Sequence, residues 1–471
     1  MATTAAAAGG VDGAASNLRL SPETYTTIGT LLDQNKDFVI PQLVETYGDQ
    51  GITGMLKLTG AVNAGGTSDE VRYHEVGRRH RTITGSTDDS AGTSPDTQVL
   101  HFSADSTNGA SIGANDVVMD SADGRRFIVT AVNNASPTAA TEATMQPLDG
   151  AAAGGANSTD REFIVLGNMY GQGTEQPAHF TDSDIVKRQN PFMIVKDRFQ
   201  VNGSQATNIG WVDTGGGEYR WFMYGEQEAR KRFEDRREMM MLFAETGNDG
   251  SAGSTAAYNA DQDMGVGSEG YISAVEARGI VVSNANANPL DSFAEFDDII
   301  LELDKNGATS EYAMYLNRKQ DLAVDDMLAS GIATGVTAGL AGQFGAFNND
   351  SDMAVRLGFK SFTRGGYTFH KHDWKLLNDP TLLGATNFLQ GAMVPMSQVA
   401  DARTGVKAPA LAMYYKEANG YSREMEHWVT GGGVLGHNNN GDAGKDVATF
   451  HYRSEIALVT RAANQHVIIK G

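Results

Sequence analysis

The spacing of apolar and polar positions changes several times along this chain, and each change marks a predicted element. Ser21–Leu32 has helical spacing, with Ser21 placed as the cap and Glu23 in the first turn. Thr53–Val62 is a short mixed segment closed by Ala64-Gly65-Gly66. Val71-Arg72-Tyr73-His74-Glu75-Val76 predicts a strand, continuing through Arg78-Arg79-His80-Arg81 to Ile83. Its expected partner is Pro191–Val201, which returns about a hundred residues later. Charges interrupt both faces of both segments, so neither predicts a buried central strand. Such strands carry long edges that need cover from elsewhere.

The stretch between them, 84–165, differs in texture. Ser, Thr, Gly, Asn and Ala dominate it. Asp116–Asp120 and Arg126–Val132 flank Ala122-Asp123-Gly124, and Asp-Gly between such runs signals a hairpin. Thr141–Leu148 and Glu162–Leu166 predict further strands, with a linker-like Ala/Gly run at Gly150–Gly155. The expectation is a small all-β module inserted in a long excursion.

Helical periodicity then returns in Glu218–Glu245. Phe222, Ala229, Phe233, Met240 and Phe243 form one narrow stripe. Glu226/Arg230, Glu228/Arg232, Arg230/Glu234 and Lys231/Asp235 stand at i,i+4, each pair contributing about 0.2–0.5 kcal/mol. From residue 270 helices and strands alternate. Ser292 and Glu295 form a capping box opening a helix, Phe293–Asp304, whose buried face is Phe293, Phe296, Ile300 and Leu303. Asn306-Gly307 ends it. Glu311–Leu316 predicts a strand, Asn317 caps a helix to about Ala329, and Gly331–Gly345 predicts a flexible loop. Phe362–Phe369 predicts a tight hairpin about Gly365-Gly366. Three strands, Thr449–Arg453, Glu455–Arg461 and Gln465–Lys470, close the chain.

Composition narrows the function classes. A chain of 471 residues can hold two or three domains, and with no cysteine it has neither disulfides nor thiolate metal sites. Residues 1–16 lack the basic start and apolar run of a secretory signal and predict a disordered tail; no stretch predicts a membrane span. The formal charge of −21 argues against sequence-independent adhesion to nucleic acid; it either serves solubility alone or suits a container wall that does not grip its polymer.

Chemical motifs are few. Gly441–Asp446 has a Gly-Lys pair without phosphate-loop spacing or the following hydroxyl. Gly215–Gly217 and Gly431–Gly433 predict hinges or turns. His370 and His372, with Asp373 near, could offer a metal two imidazoles, but a structural pair is the favoured reading. Asn348, Asp350 and Asp352 begin like a calcium loop, yet Met353 and Phe359 stand where Gly and Glu belong. Asn157-Ser158-Thr159 matches a sequon that means nothing without secretion. With no catalytic constellation assignable, no enzyme, cofactor or metal is expected. The run Arg78, Arg79, His80, Arg81 has two readings, a nucleic-acid patch and the favoured one, charge pairing with an acidic neighbouring subunit; Arg78, Arg79, Arg81, Lys196 and Arg198 are the candidate subunit contacts.

In the order of its parts the chain resembles the major capsid proteins of tailed double-stranded DNA bacteriophages, the Hong Kong 97-type α+β fold. The resemblance implies an N-terminal arm (1–60), an extended loop (61–83 and 166–205) with an inserted small β domain (84–165), a peripheral domain (206–275 and 446–471) with a spine helix (218–245), and an axial domain (276–445). It further implies self-assembly into hexamers and pentamers of an icosahedral shell, in the host cytoplasm and then in the virion. The shell would enclose double-stranded DNA without sequence-specific binding, with a portal protein and possible scaffold and decoration proteins as partners. The alternatives are an encapsulin-like nanocompartment shell and a β-rich tail or adhesin component.

Overall fold

The computed structural model describes residues 62–78, 80, 82–89, 98–102, 112–136, 139–150, 157–177, 185–207, 221–246, 267–283, 289–337, 361–380, 388–396, 399–400, 407–431 and 447–471. The expected helix at Ser21–Leu32, the calcium-like run at Asn348 to Asp352 and the Gly441–Asp446 segment lie outside these residues.

The first strands are β1 (Val62–Ala64), β2 (Glu70–Val76), β3 (Thr82–Asp89), β4 (Gln98–Phe102), β5 (Asp116–Asp120), β6 (Arg126–Ser136), β7 (Ala139–Pro147) and β8 (Asn157–Asn168). Next come β9 (Ile185–Pro191), β10 (Met193–Asn202), α1 (Gly203–Thr207), α2 (Trp221–Phe243), α3 (Tyr271–Arg278), β11 (Ile280–Ser283), α4 (Phe293–Lys305), β12 (Glu311–Leu316) and α5 (Arg318–Thr337). The rest is β13 (Ser361–Arg364), β14 (Tyr367–Asp373), β15 (Leu389–Pro395), the short pairs β16 (Val399–Ala400) with β17 (Lys407–Ala408) and β19 (Glu417–Ala418) with β20 (Tyr421–Ser422), and β18 (Leu411–Tyr415), β21 (Glu426–Gly431), β22 (Val447–Thr460) and β23 (Val467–Lys470). The class is α+β, mostly strands. The chain divides into two compact units, a smaller one built from Val195–Arg237 and Met425–Ser454, and a larger one from Ile52–Ile194, Glu238–Glu424 and Glu455–Gly471.

In the smaller unit β22 pairs with β21 in the register Trp428↔His451, and with β10. β10 alternates, so Val195, Asp197, Phe199 and Val201 turn inward while Lys196, Arg198 and Gln200 are exposed. Ala229 and Phe233 of α2 pack on Phe450 and Tyr452, joined by Phe199 and Val429. The expected charge pairs Arg230–Glu234, at 3.2 Å, and Glu228–Arg232, at 3.7 Å, form.

The larger unit is centred on a six-stranded mixed sheet, β11-β23-β15-β12-β14-β13. Period-2 alternation sends its side chains to two cores. Ala313 and Tyr315 of β12, with Ile468 of β23, meet Tyr271, Ile272 and Val275 of α3 on one face. Tyr312, Met314 and Leu316, with Val467 and Ile469, meet Phe296, Ile300 and Leu303 of α4 and Val324 of α5 on the other. The last turn of α2 joins the first of these cores through Leu242, Met239 and Phe243. That contact corrects the predicted stripe: Met240 is 43% exposed, while Met241 and Leu242 are buried, because a different core claims this end of the helix.

Local signals in this unit act as their chemistry dictates. The Ser292/Glu295 capping box forms, and Asn317 Oδ1 accepts from the Gln320 amide at 2.8 Å. Gly365 and Gly366 take φ of +59° and +87° in the β13–β14 hairpin. The loop expected from Gly331 is helical to Thr337, since extending a formed helix costs far less than starting one. His372 stacks on Tyr315 at 5.3 Å, and among the described residues no group of acids and imidazoles is placed to hold a metal. Lys371 between them is buried and bonds Asp325 and Asp321 of α5 at 2.5 and 2.8 Å. Two of the three closing strands are one, because the apparent break at Glu455 is a buried carboxylate held by Arg423 at 2.8 Å and Lys416 at 3.4 Å. Among the described residues no helix is long and apolar enough to cross a membrane.

Residues 82–168 contribute a closed six-stranded barrel, β3-β4-β7-β6-β5-β8. Ile83, Leu100, Val118, Phe127, Val129, Met145 and Phe163 fill it, with Phe127 edge-on to Phe163 at 6.5 Å. Closure brings β3 against β4 so tightly that a Cβ on Gly85 would stand 2.2 Å from the His101 carbonyl oxygen. Asp120, nearly fully buried, is satisfied by Arg161 at 2.7 Å.

Candidate subunit interface

The barrel is reached through a ribbon of two strands. β2 and β9 pair antiparallel over all seven residues, from Glu70↔Pro191 to Val76↔Ile185. This corrects the expected partner of β2. Pro191–Val201 carries apolar residues at alternate positions, and β10 takes them into the core of the smaller unit. Ile185–Pro191 is polar enough to be left to the equally polar β2. Among the described residues no third strand flanks either edge of the ribbon. At one end Val76 and Ile185 stand opposite each other, more than half exposed.

With no core of its own, the ribbon is tied down by polar groups. Asn190 is the principal tie. Its Nδ2 donates to the carbonyls of Leu458 (2.6 Å) and Glu269 (2.9 Å). Its Oδ1 accepts from the Glu269 amide (2.8 Å) and the Ser268 hydroxyl (3.0 Å). All four hydrogen-bonding valences of the amide are used, which is what a buried asparagine requires. The Tyr73 hydroxyl donates to the Thr460 carbonyl at 3.2 Å, and burial pushes its pKa up to about 12. Glu75 accepts from the Ala462 amide at 3.1 Å and pairs with Arg188 across the ribbon at 3.3 Å. Ala462 sits at φ +50°, a left-handed conformation that a β-carbon makes costly.

Of the five sequence-predicted contact residues, Arg78 is exposed and donates to the Lys305 carbonyl at 2.5 Å, at the C-terminal end of α4. A cation there complements the helix dipole. Arg79 and Arg81 lie outside the described residues. Lys196 and Arg198 are exposed on β10 in the smaller unit, whereas Arg78 belongs to the larger. The sequence reading missed Asn190, which no local signal separates from its polar neighbours Gln189 and Arg188. The chemistry of the ribbon is that of contact, with two open edges, an apolar pair and alternating charges.

No family profile matches the chain, and no curated protein does. Among solved structures it is similar to the capsid structure of the cyanophage P-SCSP1u (8% identity, TM-score 0.42, covering 97% of this chain and 99% of that one). It is likewise similar to a structure from Microbacterium phage Oxtober96 (8% identity, TM-score 0.39, covering 94% and 98%). A third is the holo-SrpI encapsulin complex of Synechococcus elongatus PCC 7942 (12% identity, TM-score 0.33, covering 61% and 77%).

Proposed function

We propose that this chain is a major capsid protein of a tailed bacteriophage, a non-catalytic subunit of an icosahedral shell that encloses double-stranded DNA. The β2–β9 ribbon carries the reading. Both its edges are open among the described residues, its far pair Val76/Ile185 is exposed, and it leads to a barrel that holds a core of its own. Open edges of this kind invite association unless another surface covers them, and further copies of the chain would supply that surface. In this reading 61–83 and 166–205 form an extended loop, 84–165 an inserted module, 218–245 a spine helix, and 276–445 an axial domain about which hexamers and pentamers close. Portal, scaffold and decoration proteins would be its partners in the virion.

Electron microscopy of the expressed full chain and two deletions tests this. Uniform shells or hexameric capsomers are expected from the full chain. Deleting 84–165 should spare hexamers, and deleting 61–205 should abolish them. Only monomers or fibres from the full chain would overturn the shell reading. Loss of all assembly on deleting 84–165 alone would overturn the modular one.

A further inference from the structure

The ties along the ribbon are not alike. Its body-facing side is formed by the cross-strand pairs Val71/Asn190, Tyr73/Arg188 and Glu75/Val186, while Arg72, His74, Lys187 and Gln189 are exposed on the other. Three ties on the covered side step along one stretch of the body two residues at a time: Asn190 to the Leu458 carbonyl, Tyr73 to the Thr460 carbonyl and Glu75 to the Ala462 amide. The first is made by a side-chain amide, which does not titrate. The last reaches the turn between β22 and β23, and that turn is folded over an imidazole. The Gln465 and His466 amides donate back to the Ala462 and Ala463 carbonyls at 2.8 and 3.0 Å, and the His466 carbonyl accepts from the Ile280 amide at 3.0 Å. The His466 side chain is fully buried, with the Tyr271 hydroxyl 3.3 Å from Nδ1. Among the described residues no carboxylate bonds it. The helix α3 brings Tyr271 to it, while Glu276 and Arg278 of that helix pair with Lys470 of β23 at 2.6 Å and with Glu269 at 2.9 Å. From β12 comes Tyr312, whose hydroxyl donates to the Gln465 carbonyl at 3.0 Å, and β11 brings no charged side chain. Arg461 is committed to the Pro409 carbonyl at 3.1 Å and the Tyr414 hydroxyl at 2.7 Å.

We propose that the β22–β23 turn is an acid-sensitive latch on the ribbon: protonation of His466 opens the turn, withdraws the Ala462 amide from Glu75, and lets the outer end of the ribbon, Glu75–Arg78 with Ile185 and Val186, swing about Asn190. An imidazolium in that position has neither water nor a counter-ion, so the charged form is accommodated by the turn opening and not by the turn as it stands. Ala462, left-handed at φ +50°, relaxes in the same step. The bonds of Arg78 to the Lys305 carbonyl and to Asn306 are exposed and hold the freed end weakly. Burial lowers the His466 pKa to about 4, opposed in part by a backbone bond at Arg461. The open turn returns the imidazole to about 6.5 and so binds more protons between those values. The closed turn is therefore fully favoured above about pH 6.5, and the open-to-closed ratio grows by up to about tenfold for each unit of acidification, roughly 300-fold in all. The latch is a property of this chain's own ribbon and does not depend on the shell reading.

The chain has no cysteine, so spin labels can be attached at chosen sites alone. One pair is Val76→Cys with Leu301→Cys, both positions more than half exposed; the other is Gln189→Cys with Leu301→Cys, a reference beside Asn190. Distances are read by pulsed electron resonance on the full chain, diluted in unlabelled copies so that only pairs within one copy count, from about pH 7.5 to about pH 4.5. The Val76 distance should leave its neutral value reversibly, the ratio of displaced to neutral populations rising about 70-fold, while the Gln189 distance holds. His466→Gln should abolish the change, and Glu75→Gln, whose amide oxygen still accepts from Ala462, should leave it in place. Should His466→Gln not fold, Glu75→Gln still separates the imidazole from the carboxylate. An unchanged Val76 distance, displacement of both distances together, or a change that survives His466→Gln overturns the proposal. So does a change that Glu75→Gln removes, because the carboxylate would then be the switch.

Discussion

The barrel and the ribbon that leads to it are both made of antiparallel strands, yet they are held by opposite means. The barrel closes on itself, so every strand has two neighbours, and Phe127, Met145 and Phe163 share one apolar interior. The ribbon has two strands and no interior, and a two-stranded sheet is at best marginal alone in water. Its order comes from Asn190, Tyr73 and Glu75 bonding to backbone groups at Leu458–Ala462 and at Glu269. The barrel is therefore stable by area, the ribbon by a few directional bonds. A part held by few bonds can be released without unfolding what it carries.

The comparison can be broken in order of effect. Phe163→Ala should cost the barrel about 4 kcal/mol through lost burial and a cavity. Amide exchange should rise in residues 82–168 while β12 and β15 stay protected, and a spread of the loss to those strands would end the claim that the barrel holds itself. Asn190→Ala should cost about 3 kcal/mol, since it leaves a hydroxyl, an amide and two carbonyls of the body without partners. Here exchange should rise along β2 and β9 while the barrel's melting is unchanged; protection of the ribbon equal to wild type would show that Asn190 is not its tie.

Acid should loosen the body that anchors the ribbon. His466 is fully buried beside the Tyr271 hydroxyl, 3.3 Å from Nδ1, and burial lowers its pKa to about 4. The unfolded chain, with an ordinary imidazole near 6.5, binds more protons between those two values. Stability is thus fully present above about pH 6.5 and falls toward pH 4, with a slope approaching 1.4 kcal/mol per unit, roughly 3 kcal/mol in all. His466→Gln should flatten urea midpoints across that window, and an unchanged pH slope would remove His466 as the source. Arg78→Ala should be the smallest change, under about 1 kcal/mol, because its bonds at the end of α4 are solvent-exposed. Urea denaturation showing a larger loss would mean that the ribbon depends on this contact as much as on Asn190.

How much of this was legible in the sequence divides along the same line. The Ser292/Glu295 box, the Asn317 cap, the Gly365-Gly366 turn and the Asp123-Gly124 hairpin each complete their bonds within a few residues, so their chemistry is readable in a short window. The charge ladder of α2 was readable too, but not which Met of Met239–Met241 would be buried, since that depended on a core from a distant part of the chain. The buried charges of Lys371 and Glu455 were not legible, because their partners Asp325 and Arg423 come from other elements.

By itself the sequence determined where helices start, where turns bend and which strands alternate, because those free energies are settled between neighbours a few residues apart. Tertiary structure alone decided that β2 would pair with β9 and not with β10, that six strands between Thr82 and Asn168 would close, and that one asparagine would hold the ribbon's foot. Those outcomes turn on which distant groups exclude water from one another. Near-equivalent polar strands compete for the same partners, and the choice falls to whichever apolar face finds a core.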